Sequence, residues 1–204
     1  MKFYTSDIHL FHRRICDYTN RNLVTTQANH EDWIIDLWNK QVKPGDIVYH
    51  LGDLSFAKYA HHTAEILKQL NGQIFCIKGN HDRKAHLVEL KENGIIAWWG
   101  DYREEKLADK QACLFHFPIS CWHRQHYGSL HLHGHSHGGY QGQGKTLDVG
   151  LDSAYNILGE HRLFTEDDIL NFMEPRPIWV GDYHQQRAGE LGDLPQCGLS
   201  QVTA

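Results

Sequence analysis

Five short runs of β-branched, aromatic and aliphatic residues punctuate the chain: Phe3-Tyr4-Thr5, Ile47-Val48-Tyr49-His50-Leu51, Gln73-Ile74-Phe75-Cys76-Ile77, Ala112-Cys113-Leu114-Phe115 and Leu130-His131-Leu132-His133. Each closes on a glycine or polar turn, which predicts short buried strands. Between them the apolar spacing becomes helical. Asn29 is placed to cap a helix carrying Trp33, Ile34, Leu37, Trp38 and Val42 on one face, ended by Pro44-Gly45. A second helix over Ala57 to Leu70 turns Ala60, Ala64, Leu67 and Leu70 inward and stops at Asn71-Gly72; a shorter one over Lys84 to Asn93 ends at Gly94. Thr165-Glu166-Asp167-Asp168 reads as a capping arrangement that opens a last helix through Phe172. Tyr102 to Leu107 and Gln111 to Phe115 read as a hairpin around Ala108-Asp109-Lys110, and Thr146 to Leu151 as a further core strand. From about Gly181 apolar residues thin out, so residues 1–180 are expected to form one domain and 181–204 a loosely held tail.

Polar clusters follow these strands in fixed order: Asp7-Ile8-His9, Gly52-Asp53, Gly79-Asn80-His81-Asp82, His116, and Gly134-His135-Ser136-His137. In α/β architectures ligands gather at the carboxyl ends of strands, where each cluster sits. Carboxylate and imidazole suit Mn, Fe, Zn or Ni, and two such ions about 3.5–4 Å apart can hold both a phosphate and an attacking oxygen. Taken singly, most clusters say little. Gly-Asp usually marks a turn, and a lone histidine is more often structural than a ligand. Gly79-Asn80-His81-Asp82 is more specific, with Asn80 as a neutral oxygen ligand, His81 as a proton donor and Asp82 as the group that orients its ring. Gly134-His135-Ser136-His137 offers two imidazoles on one turn for two neighbouring ions. The joint order of all five makes the reading a two-metal phosphoester hydrolase.

Composition narrows the picture little further. A formal net charge of -5 disfavours a general nucleic-acid-coating role, which calls for a basic stripe. Five cysteines without a CxxC pair suggest neither a disulfide framework nor a thiolate zinc site, and a reducing cytoplasm fits best. The first motif begins at Asp7, leaving no room for a signal peptide, and no 18-residue apolar run exists, so membrane insertion is not expected. Of 17 histidines, only five fall in the clusters; most others are expected as surface or partly buried polar residues.

Together the motifs resemble the calcineurin-like metallophosphoesterase superfamily, with its D-x-H, G-D, G-N-H-D/E, H and G-H-x-H order, over roughly Lys2 to Asp152. Ser6 to His12, Val48 to Asp53 and Leu132 to His137 look more narrowly like a group of small bacterial and phage phosphoesterases. The resemblance implies an α/β fold, a four-layer α/β/β/α sandwich of two mixed sheets flanked by helices. It implies two divalent transition-metal ions, manganese first, with iron, nickel or zinc as alternatives. One would be held by Asp7, His9, Asp53 and His137, the other by Asp53, Asn80, His116 and His135, with Asp53 bridging. The implied reaction is in-line attack on phosphorus by a metal-bound water or hydroxide, with His81 protonating the leaving oxygen.

His12, Arg13, Arg14, Arg83, Lys84, His123 and Arg124 lie near the clusters in sequence and are candidates for substrate phosphate, although exposed cations are commonplace. Trp122 and Tyr127 could stack a nucleobase or simply pack. The Gly-rich segment Gly138 to Gly144 reads as a mobile loop beside the clusters. The expected substrate is a small phosphoester or nucleotide, cleaved as a diester or a monoester. A nuclease of the same chemistry and a non-catalytic metal-bound scaffold are the alternatives, and oligomeric state stays open.

Overall fold

The computed structural model describes residues 1–140 and 142–179. Two mixed sheets form. The first comprises β1 (Lys2–Thr5), β2 (Ile47–His50), β3 (Gln73–Ile77), β4 (Trp98–Gly100) and β9 (Phe164–Thr165), in the order β4-β3-β2-β1-β9. Strands β1 to β4 run parallel and β9 antiparallel. The second orders β5 (Tyr102–Leu107), β6 (Lys110–Phe115), β7 (Leu130–His133) and β8 (Thr146–Asp148) consecutively, with only β5 antiparallel to its neighbour.

Alternation along the strands decides what each face meets. Phe3, Val48, Ile74 and Cys76 face outward onto Ile34, Leu37 and Trp38 of α2 (His30–Gln41), Leu67 of α3 (Ala60–Leu67), and Leu87 and Leu90 of α4 (Lys84–Glu92). Tyr4, Tyr49 and Ile77 face the other way, onto Ala112, Leu114, Leu130, Leu132 and Leu147 of the second sheet. Ile169 and Met173 of α6 (Glu166–Met173) join this inner core. The result is the sandwich of two mixed sheets flanked by helices that the resemblance implied. Its cover is uneven: behind the second sheet, Cys113 and His131 are roofed by the 117–129 segment, where Trp122 lies 5.4 Å from His131 and Cys113 Sγ meets His123 O at 3.7 Å.

The five predicted strands form, and the Thr165 box closes as expected, its hydroxyl accepting from Asp168 N while Asp168 accepts from Thr165 N. Other expectations are corrected. Asn29 makes no side-chain cap; a 3-10 turn over Gln27–Asn29 runs straight into α2. The hairpin turns on Ala108-Asp109 alone, with Ala108 at φ 50°, because Lys110 already pairs with Leu107. The last core strand stops at Asp148, and Leu151 instead opens α5 (Leu151–Leu158) behind Gly150. The short β4, β9 and α1 (Ile15–Tyr18) were not foreseen. Of the eleven remaining histidines that are described, six are exposed or partly buried, as expected, whereas His30, His50, His131 and His133 are fully buried. The expected tail over 181–204 lies outside the described residues. No helix among the described residues is long and apolar enough to cross a membrane.

Parallel β1, β2 and β3 end at one rim, as do parallel β6 and β7. A bridge between Ser6 and Gly150 ties the two sheets together just beyond β1 and β8, and Gly134 N donates to His116 O at 2.9 Å across the loops after β6 and β7. All five clusters therefore share one rim.

Candidate metal centre

At this rim the backbone takes a conformation that side chains normally avoid. Asp7, His9, Asp53, His135 and His137 have φ of 54°, 52°, 56°, 69° and 47°. Left-handed backbone costs an L-residue about 1–2 kcal/mol, and such strain persists only where the surroundings hold it. Here they do. Asp7 N donates to Gly52 O (2.9 Å) and His9 N to Asp53 O (3.1 Å), continuing the β1–β2 pairing into the loops. Two glycines permit the approach: a Cβ on Gly134 would fall 2.5 Å from Asp7 Oδ2 and Ser6 Oγ, and one on Gly79 would collide with Asp53.

Two groups of ligand-type atoms result. Asp7, His9 and His137 form one and Asp53, His116 and His135 the other, with the ligand atoms of each within 4.8 Å of one another. His9 Nε2 faces His137 Nε2 at 3.1 Å and Asp7 Oδ1 at 3.7 Å. In the second group Asn80 Oδ1 lies 2.9 Å from both His116 Nε2 and His135 Nδ1. Asp53 stands between them, with Oδ2 4.0 Å from His9 Nε2 and Oδ1 3.5 Å from His116 Nε2.

Deeper groups aim these atoms. His116 Nδ1 bonds Leu51 O at 2.8 Å, which leaves Nε2 with its lone pair toward Asp53. His137 Nδ1 bonds Asp152 Oδ2 at 2.6 Å. Asp152 is itself clamped by Arg21, with Nε to Oδ1 at 3.0 Å and Nη2 to Oδ2 at 2.9 Å. Arg21, fully buried, also donates to Ile8 O and Asp7 O, so one guanidinium braces both the first loop and the His137 ring. Ser136 Oγ and Gly138 N both donate to Asp148 Oδ2, pinning the other side of the His135–His137 turn.

The electrostatics bear the mark of a desolvated anionic site. Burial, followed by the charge of Asp148, pushes the Asp7 carboxyl up to about 8. Burial also drives His9 far below the ordinary imidazole range. For His137 burial pulls downward, but the Asp152 bond and the Asp7 charge outweigh it and the value is raised. The donor set fits divalent transition metals. Asp7 Oδ2 accepts from Ser6 Oγ (2.5 Å) and His135 N (2.9 Å), whereas Asp7 Oδ1 is buried without a hydrogen-bond partner among the described residues. A buried carboxylate oxygen left without a donor, facing two imidazole nitrogens, is what a cation would satisfy.

Asp82 does not orient the His81 ring. Its oxygens accept from four backbone amides, those of Gly79 (2.8 Å), Asp53 (2.9 Å), Leu54 (2.9 Å) and Ser55 (3.4 Å), so it positions the two loops instead. The His81 side chain is 46% exposed, with Nε2 3.9 Å from Asp53 Oδ2. Of the phosphate candidates, His12 stays at the rim, its ring 5.6 Å from that of His9, and Arg13 lines a cleft with it. Arg14 pairs with Asp17. Arg83 turns to Lys58 O, and Lys84 Nζ sits 6.0 Å from the Trp99 ring. His123 pairs with Glu104 behind the second sheet. Arg124 sits with Lys106 and Lys110 at the opposite end of β6 from His116, about 17 Å away at about 3.3 Å per residue. Trp122 packs over His131 behind the second sheet, its Nε1 donating to Ser129 O. Arg21, Asp148 and Asp152 were missed; the one available signal was Leu147-Asp148-Val149-Gly150-Leu151-Asp152, an acid-bearing turn after a strand like the others.

No family model matches the chain. An uncharacterized protein of Methanocaldococcus jannaschii is 34% identical over 134 residues, 65% of this chain; the chain spans 66% of that relative, just under two thirds of its length. The gene 66 protein of Mycobacterium phage L5 is 24% identical across 83% of this chain and 93% of its own. Among solved structures, a protein of unknown function from Aquifex aeolicus superposes with a TM-score of 0.63 at 22% identity, covering 84% of this chain and 98% of that one. Likeness at this level shows a shared fold alone, two mixed sheets flanked by helices. The structure of a novel archaeal phosphodiesterase, at 18% identity and a TM-score of 0.44 over 73% of this chain, carries no further argument.

Proposed function

We propose that the protein is a phosphoester hydrolase that works with two divalent transition-metal ions, manganese first, on a small phosphodiester or phosphomonoester. The observation that carries this reading is the pairing of two ligand groups on one rim, with the Asp53 carboxylate within 4.0 Å of a histidine nitrogen from each. Asp7, His9, Asp53 and His137 would hold one ion, and Asp53, Asn80, His116 and His135 the other. Bound there, the ions would supply Lewis-acid charge to the phosphate and to an attacking water. Arg21 and Asp152 keep His137 facing the site, and Asp82 keeps the Asp53 and Asn80 loops together. His81, half-exposed beside Asp53, is placed to hand a proton to the departing oxygen.

The test is hydrolysis of paired chromogenic phosphate mono- and diesters by metal-stripped protein after addition of Mn, Ni, Zn or Mg, with Asp53→Asn as control. Metal-dependent turnover lost in the control is expected, and the diester-to-monoester ratio directs the substrate search. Two bound ions without turnover on any ester would refute the hydrolase reading in favour of a metal-bound scaffold.

A further inference from the structure

A shelf of rings and cations adjoins the candidate metal centre, and the roles assigned so far do not account for it. Phe56 begins it, with its ring 4.5 Å from that of His81 and 5.3 Å from that of His9. The His12 ring stands edge-on to Phe56 at 4.4 Å and 6.1 Å from Tyr18. Phe11, Arg13 and Arg14 complete a cleft of about 360 Å³. That volume is at the small end of ligand sites, about 300–1,000 Å³, and suits one nucleoside-sized group rather than a lipid or a folded partner.

Packing does not explain these residues. Tyr18 is 64% exposed and Phe11 36%. Phe11 is held in left-handed backbone at φ 61°, with its amide fixed by Glu31 Oε1 at 2.7 Å. A bulky ring held outward on strained backbone gains nothing for the core. The cations divide their tasks: Arg14 pairs with Asp17 and lies 5.0 Å over the Tyr18 ring, bracing it. The exposed Arg13 side chain has no ion-pair or hydrogen-bond partner among the described residues and stays available to an anion.

We infer that the Phe11–Tyr18–Phe56 shelf is the subsite for the base of a nucleotide-type phosphoester, with Arg13 receiving a second phosphate of the same ligand. The inference rests on the hydrolase reading and deepens it. A phosphorus held at the Asp53 rim beside His81 places its ester substituent against Phe56, and stacking suits any base because every base presents a π-face. Stacked bases are worth enough that removing one ring costs about tenfold in affinity.

The experiment uses the full chain with manganese and reads competitive inhibition of bis(p-nitrophenyl) phosphate hydrolysis by adenosine 5′-monophosphate, ribose 5-phosphate and adenosine 3′,5′-bisphosphate. Adenosine 5′-monophosphate is expected to inhibit about tenfold more tightly than ribose 5-phosphate, and Tyr18→Ala and Phe11→Ala to bring that ratio toward one. The bisphosphate should bind more tightly than the monophosphate, an advantage that Arg13→Ala removes. Turnover with equal inhibition by the two monophosphates in parent and variants overturns the shelf while leaving the hydrolase reading intact. If turnover is absent, saturation-transfer NMR on the same proteins decides the shelf separately: saturation of the adenine protons that disappears in Tyr18→Ala supports it, and none in the parent refutes it.

Discussion

Asp152→Asn tests whether the His137 ring is aimed from beneath. In the parent, Asp152 Oδ2 accepts a hydrogen bond from His137 Nδ1 at 2.6 Å, and both carboxylate oxygens are clamped by Arg21. The Arg21 and Asp152 side chains are 0% and 7% exposed. Burial works against the Asp152 charge, but Arg21 and then His137 outweigh it and hold the carboxyl below its ordinary range. Because the folded value lies below the unfolded one, the pair's contribution is complete at neutral pH and is lost only as pH falls through the folded value. Asparagine keeps the shape but removes the charge and presents an NH2 where an acceptor stood. Two losses follow. Arg21 is left buried without its counter-charge, a break that costs about 3–5 kcal/mol in comparable pairs, and the lower end is expected because one amide oxygen still accepts. The amide also donates to His137 Nδ1, moving the ring proton to Nε2, the atom that faces His9. Removal of such a supporting group typically lowers metal affinity about 10–100-fold. Urea unfolding of the metal-free proteins reads the first loss and calorimetric titration with manganese, in buffer where both are folded, the second. In a cycle with His137→Ala, the affinity losses should not add, because Asp152 acts through that ring. Parent-like manganese affinity in Asp152→Asn, or full additivity in the double variant, would refute the reasoning.

Gly134→Ala forces a methyl group to within 2.5 Å of Asp7 Oδ2, and titration should show one manganese bound instead of two. Asp82→Ala leaves four buried loop amides without their acceptor and should cost about 3 kcal/mol or more in urea unfolding. Burial, then the charge of His133, depresses His131 to about 3. Between pH 6.5 and about 3 the unfolded chain therefore binds a proton that the folded chain refuses, so stability should fall on acidification by up to about 1.4 kcal/mol per pH unit, and His131→Gln should flatten that slope in urea titrations at several pH values. His81→Ala should keep both ions but lose about 100-fold in kcat on esters with poor leaving groups and far less on p-nitrophenyl esters, as read by metal analysis beside steady-state rates.

What the sequence made legible was whatever is local. A run such as Gln73 to Ile77 carries its alternation within five residues, and the cluster after it follows without tertiary information. Short elements escaped: Phe164–Thr165 is a strand only because β1 lies beside it, and no two-residue run can announce that. Thr146 to Leu151 misled because Leu-Asp-Val is strand-like, while the helical spacing of Leu151, Ala154 and Leu158 begins only beyond Gly150. Of the two readings of Trp122, packing holds: the chain between β6 and β7 must travel back to start a parallel strand, which lays Trp122 over His131 behind the second sheet. Phe56 and Tyr18 reach the rim without a motif of their own.

Arg21 shows why the supporting groups could not be read in advance. An arginine in a short polar turn looks like solvated surface, and nothing in Asn20-Arg21-Asn22 announces complete burial. Its partner lies 131 residues away, so the pair exists only once both sheets have assembled. That dependence explains how the strained ligands persist. Five of the eight non-glycine residues with positive φ among those described are candidate ligands, and each loop that bears them hangs from a strand packed on both faces. The sandwich cores hold the strand ends still, and the buried Arg21, Asp82 and Asp148 fix the loops between them. The geometry of the candidate ligands is thus held by the protein's own hydrogen bonds, and its conformational cost is met by folding.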